Sequence, residues 1–340
     1  MLNRIAALPQ ASLTSVLACL EAAGELTRLR LLALLAEAEL TVSELVAILG
    51  QSQPRVSRHL KLLVDAGLAS RHREGAWAFF LVAREGPQGA LVQDILAKLD
   101  HFDPILLADR ARLLDVRQAR AEAAAHYFAR HAQSWDQIRA LHVSELQVEQ
   151  AILAAVGDSP VQGVLDIGTG TGRMLELLAP LAGRAVGVDQ SPAMLNLARA
   201  RIEASGLRNT QLRQGDIYAL PVEREGYDLI IVHQVLHYLD DPVRALREAA
   251  RVLAPGGRLL VADFAPHDEE SLRSQHAHRR LGFEREEIAN ALREVGLDVV
   301  FERALAPARR EGEKLTVLIW MARDPRVRAD ALPIKTQEVA

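Results

Sequence analysis

Val164–Gly172 reads VLDIGTGTG. An apolar run ends in Asp166, and Gly168, Gly170 and Gly172 follow at every second position before an apolar periodic stretch. This is the form of a buried strand that turns into a helix through a loop free of side chains. Glycine permits positive φ and lets backbone approach a bound group without a Cβ between them. Taken alone, such a loop serves turn chemistry as readily as ligand binding. Its neighbours decide between the two.

The next strand-like run, RAVGVD, ends in Asp189, about twenty residues beyond the loop, where a carboxylate can accept both hydroxyls of a ribose. QGDIYALP then places Gly215 and Asp216 after another strand, where a carboxylate can bond an adenine amine. YDLIIVHQVLHYLDDP delivers His233 and Gln234 to the end of a buried strand. These runs, with VQGVLDIG and GRLLVADF, alternate with helical stretches at 172–179, 192–203, 242–251 and 284–295. Strand and helix in alternation predict a parallel, doubly wound sheet, whose ligand crevice lies at the carboxyl edge.

The first hundred residues have another rhythm. Leu26–Leu35 is helical; Thr41 caps VSELVAIL with Glu44 three residues on, and Gly50 ends it. Ser52 or Gln53 opens a third helix with Pro54 in its first turn, which Gly67 stops after Ala66. LASRHRE, Gly75 and AWAFFLVA predict a β-hairpin. On the third helix Val56, Leu60 and Leu63 share an inward face, leaving Arg55, Ser57, Arg58 and Lys61 outward. With Ser52, Gln53, His59, Arg71 and Arg73 they are candidates for contacting base edges and phosphates of DNA, His72 standing beside them; a solvated cationic face is the plain alternative.

The expected organisation is a winged helix-turn-helix over 1–99 with a last helix at 88–99, a helical connector over 100–145 with a helix at 104–139, a Rossmann-like sheet over 146–325 and a loose tail over 326–340. Apolar residues make up 49% of the 340, aromatics 4%, and the net charge is −4, so a DNA-binding surface has to be a local patch. No run of eighteen apolar residues is present, and a single Cys19 excludes an intrachain disulfide. MLNRIAALPQASLTSVLACLEAAGEL is expected to be folded structure and not a signal peptide, and the protein cytoplasmic.

The segment from ELTRLRLL to AWAFFLV, above all VSRHLKLLVDAGL, resembles the ArsR/SmtB winged-helix repressors. The resemblance implies a homodimer with one recognition helix per half-site of a double-stranded operator. It departs at the sensor: Thr41, Val42 and Ser43 stand where arsenic-sensing members carry Cys-x-Cys, and Asp100, His101 and Asp103 have no matching ligands ten residues on. No metal site is expected, and Cys19 reads as a small buried hydrophobe.

Residues 127–321, including LAPGGRLLVADF, resemble class I S-adenosylmethionine-dependent methyltransferases. The resemblance implies that Asp166–Gly172 holds the methionine moiety, Asp189 with Gln190 the ribose, and Asp216 with Ile217 the adenine, with Met194 as an apolar wall and His233 in reach. His233 and His237 are the candidates for contacting or deprotonating a methyl acceptor. Trp135 and Tyr127 either cap the cleft or simply pack, packing being the preferred reading, and the helix over 283–295 is expected to pack. Three functions remain: the cofactor domain as the repressor's sensor of S-adenosylmethionine or S-adenosylhomocysteine, which leads; a methyltransferase of a small acceptor with an autoregulatory DNA-binding domain; and a DNA-modifying enzyme. The last ranks lowest, because the strand ends in His233–Gln234–Val235 and not in an Asn/Asp-Pro-Pro-Tyr motif. The lone cysteine also speaks against arsenite as acceptor.

Overall fold

The structure, a computed structural model, describes residues 11–74, 77–83, 86–135, 145–157, 161–307 and 315–327. The side chains of 72–74, 77, 121 and 123–125 are outside this description, as are Gly75, the expected connector helix beyond 135 and the tail from 328. The chain forms two compact units, 1–122 and 123–340.

Unit one holds α1 (Leu13–Ala23), α2 (Leu26–Glu37), β1 (Leu40–Thr41), α3 (Val42–Leu49), α4 (Gln53–Asp65), β2 (Ala69–Glu74), β3 (Trp77–Val82), α5 (Gly86–Leu96) and the first part of α6 (Pro104–His131). The capping box forms as expected: Thr41 Oγ1 accepts from Glu44 N, and Glu44 Oε2 accepts from Thr41 N at 2.9 Å. Gly50 takes the left-handed C-cap at φ 65°. After α4, Gly67 stands at φ 73° and Leu68 N donates back to Leu63 O, closing the helix as its glycine predicts. A two-residue strand, β1, extends the hairpin into the antiparallel order β1-β3-β2. It is too short for any periodicity to reveal. Leu31, Leu35, Ile48, Val56, Leu60 and Leu63 form the core with Cys19, which is 2% exposed and donates to Ala66 O. Side chains of α6 tie that helix to the module: Asp109 accepts two bonds from Arg30 (2.6 and 2.7 Å), Arg110 reaches Glu37, Arg112 donates to Ile48 O, Arg117 donates to Glu37 O, and Arg120 reaches Glu44.

Unit two comprises the end of α6, α7 (Glu145–Val156), β4 (Val161–Ile167), α8 (Arg173–Leu178), β5 (Ala182–Asp189), α9 (Pro192–Ala204), β6 (Thr210–Gln214), β7 (Tyr227–His233), α10 (Pro242–Val252), β8 (Leu253–Phe264), α11 (Glu270–His276), α12 (Arg285–Glu294), β9 (Asp298–Leu305) and β10 (Val317–Arg323). The sheet order is β6-β5-β4-β7-β8-β10-β9. The first five strands are parallel, and β10 is antiparallel to both β8 and β9. The parallel, doubly wound sheet expected from the sequence is present, and β9 and β10 extend it into a mixed sheet. Only residues 306–316 join β9 to β10, fewer than the roughly dozen or more that a parallel crossover needs.

Alternation along each strand feeds two apolar layers. Leu165, Ile167, Ile230 and Val232 face one layer, and Val164, Leu229, Ile231 and Leu260 face the other. Burial on both faces explains why these strands read as continuous apolar runs. Trp320 is fully buried and donates its Nε1–H to Arg285 O at 3.1 Å, fastening α12 over the sheet.

Candidate functional site

Five parallel strands bring their carboxyl ends to one edge of the sheet, and the order reverses between β4 and β7. Asp166, 1% exposed, accepts from Thr169 Oγ1 at 2.6 Å and so braces the glycine loop from beneath. Gly168 N and Thr169 N both donate to Val188 O, stitching the loop to β5. The three glycines stand at φ 72°, 52° and 83°. At Gly168 a Cβ would lie 2.5 Å from Val235 Cγ2, and at Gly172 it would lie 3.1 Å from Ala198 Cβ. At Gly170 the nearest atom would be the Trp135 indole nitrogen, 3.7 Å away. Of the three, Gly170 thus presents backbone to the crevice.

Asp189 closes β5 with both oxygens engaged: Oδ2 accepts from Gly170 N and Oδ1 from Ser191 N, each at 2.8 Å. Each oxygen keeps a second lone pair. Burial pushes the Asp189 carboxyl above the usual aspartate range, against the pull of the Ser191, Gly170 and Gln190 amides. Gln190 is exposed, and its carbonyl accepts from Gln214. Asp216 is exposed after β6, its Oδ1 accepting from Tyr218 N, and Ile217 beside it is half-buried against the core. Met194 is 2% exposed in the first turn of α9, where packing already accounts for it.

At the end of β7, His233 is half-buried, and Gln234 adopts φ 55° while its amide donates to Ala262 O at 2.7 Å. A buried glutamine in the left-handed region marks strain held at the crevice. His237 follows in a short 3₁₀ turn, Leu236–Tyr238, and its Nδ1 lies 2.7 Å from Asp263 Oδ1 at the end of β8. Asp263 also accepts from Leu236 N and Phe264 N. The two side chains are 2% and 0% exposed, and His237 Nε2 is buried with no hydrogen-bond partner among the described residues.

Asp263 escaped the sequence reading, although an acid at the end of the apolar run LLVADF was the available signal. Tyr127 packs as expected, 6% exposed and 2.7 Å from His276 Nδ1, with burial raising its phenol to about 12. Among the described residues no group of three or more His, Cys, Asp and Glu side chains could hold a metal ion.

In unit one, α4 places Val56, Leu60 and Leu63 inward and leaves Ser52, Gln53, Arg55, Ser57, Arg58 and Lys61 exposed. The Ser52 side chain makes no capping bond, so the first amides of α4 face outward beside these cations. His59 differs from its neighbours: it is half-buried with Nδ1 3.6 Å from Glu25, and burial lowers its pKa despite that carboxylate. Arg71 is exposed at the start of β2, over the Phe80 ring at 6.0 Å; the Arg73 side chain lies outside the described set.

Residues 26–71 match the family model of bacterial regulatory proteins of the arsR family, and residues 165–261 match the methyltransferase domain. The chain is 35% identical over 106 residues to the methyltransferase YcgJ of Bacillus subtilis, covering 31% of this chain and 42% of that one. It is 40% identical over 105 residues to the demethylmenaquinone methyltransferase of Thermus thermophilus, covering 30% and 47%. It thus spans less than half the length of these relatives. A methyltransferase of Haloferax volcanii, solved in complex with the Trm112 methyltransferase activator, shares the fold with a TM-score of 0.50 and 24% identity, covering 58% of this chain and 98% of that one. The chain therefore carries an ArsR-type helix-turn-helix segment at residues 26–71 and a methyltransferase domain at residues 165–261.

Proposed function

We propose that the protein is a cytoplasmic, operator-binding homodimer whose second unit transfers a methyl group from S-adenosylmethionine to a small acceptor. The observation that carries the enzymatic part is the buried His237–Asp263 pair beside the glycine loop, with one imidazole nitrogen unpartnered. A domain that only sensed a ligand would gain nothing from a proton acceptor there.

The residues fit the cofactor. Gly170 offers a loop backbone with no Cβ, Asp189 keeps lone pairs for two ribose hydroxyls, and Asp216 presents an exposed carboxylate for an adenine amine. Bound there, S-adenosylmethionine supplies an electrophilic methyl on a sulfonium. The chain's own part is to align an acceptor behind that methyl, since proximity lowers much of the barrier, and to take up the acceptor's proton. His237 is placed for the second task, and His233 lines the same edge.

Operator binding rests on the exposed donors of α4 and on Arg71, which would contact base edges and phosphate. Dimerisation is supported by Leu13, Leu17 and Leu20, spaced i, i+4, i+7 along α1 and 87%, 53% and 49% exposed. Leu107 and Leu114 of α6 are exposed as well.

One observation favours cofactor-linked repression as a second reading: α6 is a continuous helix that supplies residues to both units. A ligand couples to DNA only if it binds two states with different affinity. The deciding experiment is fluorescence anisotropy on the protein's own upstream DNA, titrated with S-adenosylmethionine and with S-adenosylhomocysteine. A tenfold shift, about 1.4 kcal/mol of coupling, establishes the sensor. Affinity indifferent to both, with the ligand binding calorimetrically, leaves an enzyme beside a repressor. Absence of calorimetric binding overturns both readings of the cleft.

A further inference from the structure

Aromatic residues make up only 4% of the chain, yet rings crowd the carboxyl edge of the seven-stranded sheet. Phe128 lies 5.3 Å from Trp135 and 4.9 Å from Tyr238, both edge-on. The Tyr238 ring is 4.1 Å from His237, which stacks on His278 at 4.1 Å and 27° and sits 5.0 Å from Phe264. The Trp135 indole reaches the glycine loop at Gly170. One connected set of rings therefore runs from the loop that would hold the cofactor's methionine end to the His237–Asp263 pair.

The pair is built to leave Nε2 as an acceptor. Leu236 N and Phe264 N pin the Asp263 carboxylate at 3.0 and 2.8 Å, and that carboxylate accepts from His237 Nδ1. The proton is thereby fixed on Nδ1, and Nε2 keeps its lone pair. Arg279 N and Arg280 N both donate to the His237 carbonyl, holding the turn from the other side. A buried acceptor without a partner is destabilising and calls for one.

We propose that the acceptor is an aromatic hydroxyl compound, seated among these rings with its O–H donating to His237 Nε2, and that Asp263 is the positioning residue for that imidazole. The inference rests on the reading of the cleft as a methyl-donor site and adds the acceptor's class. Flat rings meet aromatic walls in edge-to-face and offset contacts that an aliphatic alcohol cannot make. A phenol, with a pKa near 10 as in tyrosine, also surrenders its proton to an imidazole far more readily than an aliphatic alcohol does. In the step, the O–H proton passes to Nε2 and the oxygen lone pair forms the bond to the methyl carbon. The carbon–sulfur bond breaks as its electron pair returns to sulfur, which becomes a neutral thioether. The products are an aryl methyl ether, S-adenosylhomocysteine and an imidazolium, which then releases its proton to solvent.

The test uses the full-length protein and 4-nitrophenol, whose visible absorbance reports its ionised form. At a fixed pH below the probe's own pKa, the bound probe should be ionised to a greater fraction than the free probe. His237→Gln should bind it within threefold but show the spectrum of the neutral phenol, and Asp263→Asn should lower the ionised fraction. In the unaltered protein 4-nitrophenol should bind about tenfold more tightly than 4-nitroanisole, which has no O–H; this comparison stands even if a variant fails to fold. Equal affinity for the two probes, or equal ionisation in wild type and His237→Gln, overturns the inference. Parallel calorimetry with S-adenosylhomocysteine separates the two levels. Binding of that ligand without probe ionisation sinks the acceptor alone, and failure to bind it sinks the cleft reading and the acceptor with it.

Discussion

Gly168→Ala tests whether the glycine loop is held by packing or merely tolerates glycine. Gly168 stands at φ 72°, and its amide donates to Val188 O at 2.8 Å, so the backbone cannot rotate away without losing that bond. An added Cβ would lie 2.5 and 3.0 Å from the two Val235 methyls, about 1 Å inside ordinary carbon–carbon contact. Left-handed backbone costs an alanine roughly 1–2 kcal/mol, and overpacking adds about 1–3 kcal/mol, for a total of about 2–5 kcal/mol. Val235→Ala removes both offending methyls at a cost of about 1.5 kcal/mol from lost burial. In the double variant the packing part should vanish and the backbone part remain, giving a coupling of about 1–3 kcal/mol. Two units make a single unfolding free energy ill-defined, so hydrogen exchange of the β4 and β7 amides is the proper assay. Wild-type protection in Gly168→Ala would refute the steric argument. Failure of Val235→Ala to restore any protection would show that the contact is not with Val235.

Asp189→Asn retains one carbonyl oxygen for two backbone donors, so S-adenosylhomocysteine affinity should fall about a hundredfold, through a loosened loop and lost charged bonds of about 1.5–3 kcal/mol each; an unchanged dissociation constant removes the ribose assignment. Because burial raises the Asp189 pKa, its protonated form favours the fold: that contribution is full below the ordinary aspartate value and is lost as pH rises through the raised one. Ligand binding needs the ionised acceptor and should weaken on acidification while pH is still above the ordinary aspartate range, a trend that Asp189→Asn abolishes in calorimetry. Arg58→Ala should lower the slope of log affinity against log salt by about one on operator DNA, whereas His59→Gln, half-buried against Glu25, should leave the slope unchanged. Arg30→Met takes two bonds from the 1%-exposed Asp109, leaving it the 3.3 Å contact from Arg112, and should cost about 3 kcal/mol, read as lost exchange protection in α2.

What was legible in the sequence was local. The Thr41–Glu44 box, the glycines at 50 and 67, and the inward face of Val56, Leu60 and Leu63 are set by neighbours within a few residues, and each appears in the structure as expected. The parallel direction of strands β4 to β8 likewise follows from alternation with helices. The reversed β10 was hidden because Val317–Ala322 is apolar throughout, and burial on two faces erases any sign of direction. His233 and His237 looked equivalent, the seventh and eleventh residues of the same segment. Only tertiary pairing separates them, since the partner of His237 lies 26 residues away on β8. Trp135 read as a cleft cap or as packing, and the choice was hidden because its place beside Gly170 depends on how a helix end folds back over a loop.

On the proposed reading, that separation of the histidines is also where an enzyme and a sensor would differ. A sensor needs only that its ligand bind two states unequally, and nothing in that requirement involves a proton acceptor. Methyl transfer to a hydroxyl does, and a positioned general base typically contributes about 10²–10⁴ in rate. His237→Gln preserves polarity near Asp263 but cannot accept the proton on the same terms. Turnover with a phenolic acceptor should fall by about that factor. The affinity for S-adenosylhomocysteine should stay within twofold, along with any shift that ligand produces in operator binding. Turnover that survives the substitution would remove the dyad from the chemistry. If turnover, ligand affinity and operator response all fell together, His237 would be a support of the cleft and not its base. Only a loss confined to turnover is consistent with a buried imidazole whose second nitrogen waits for a substrate proton.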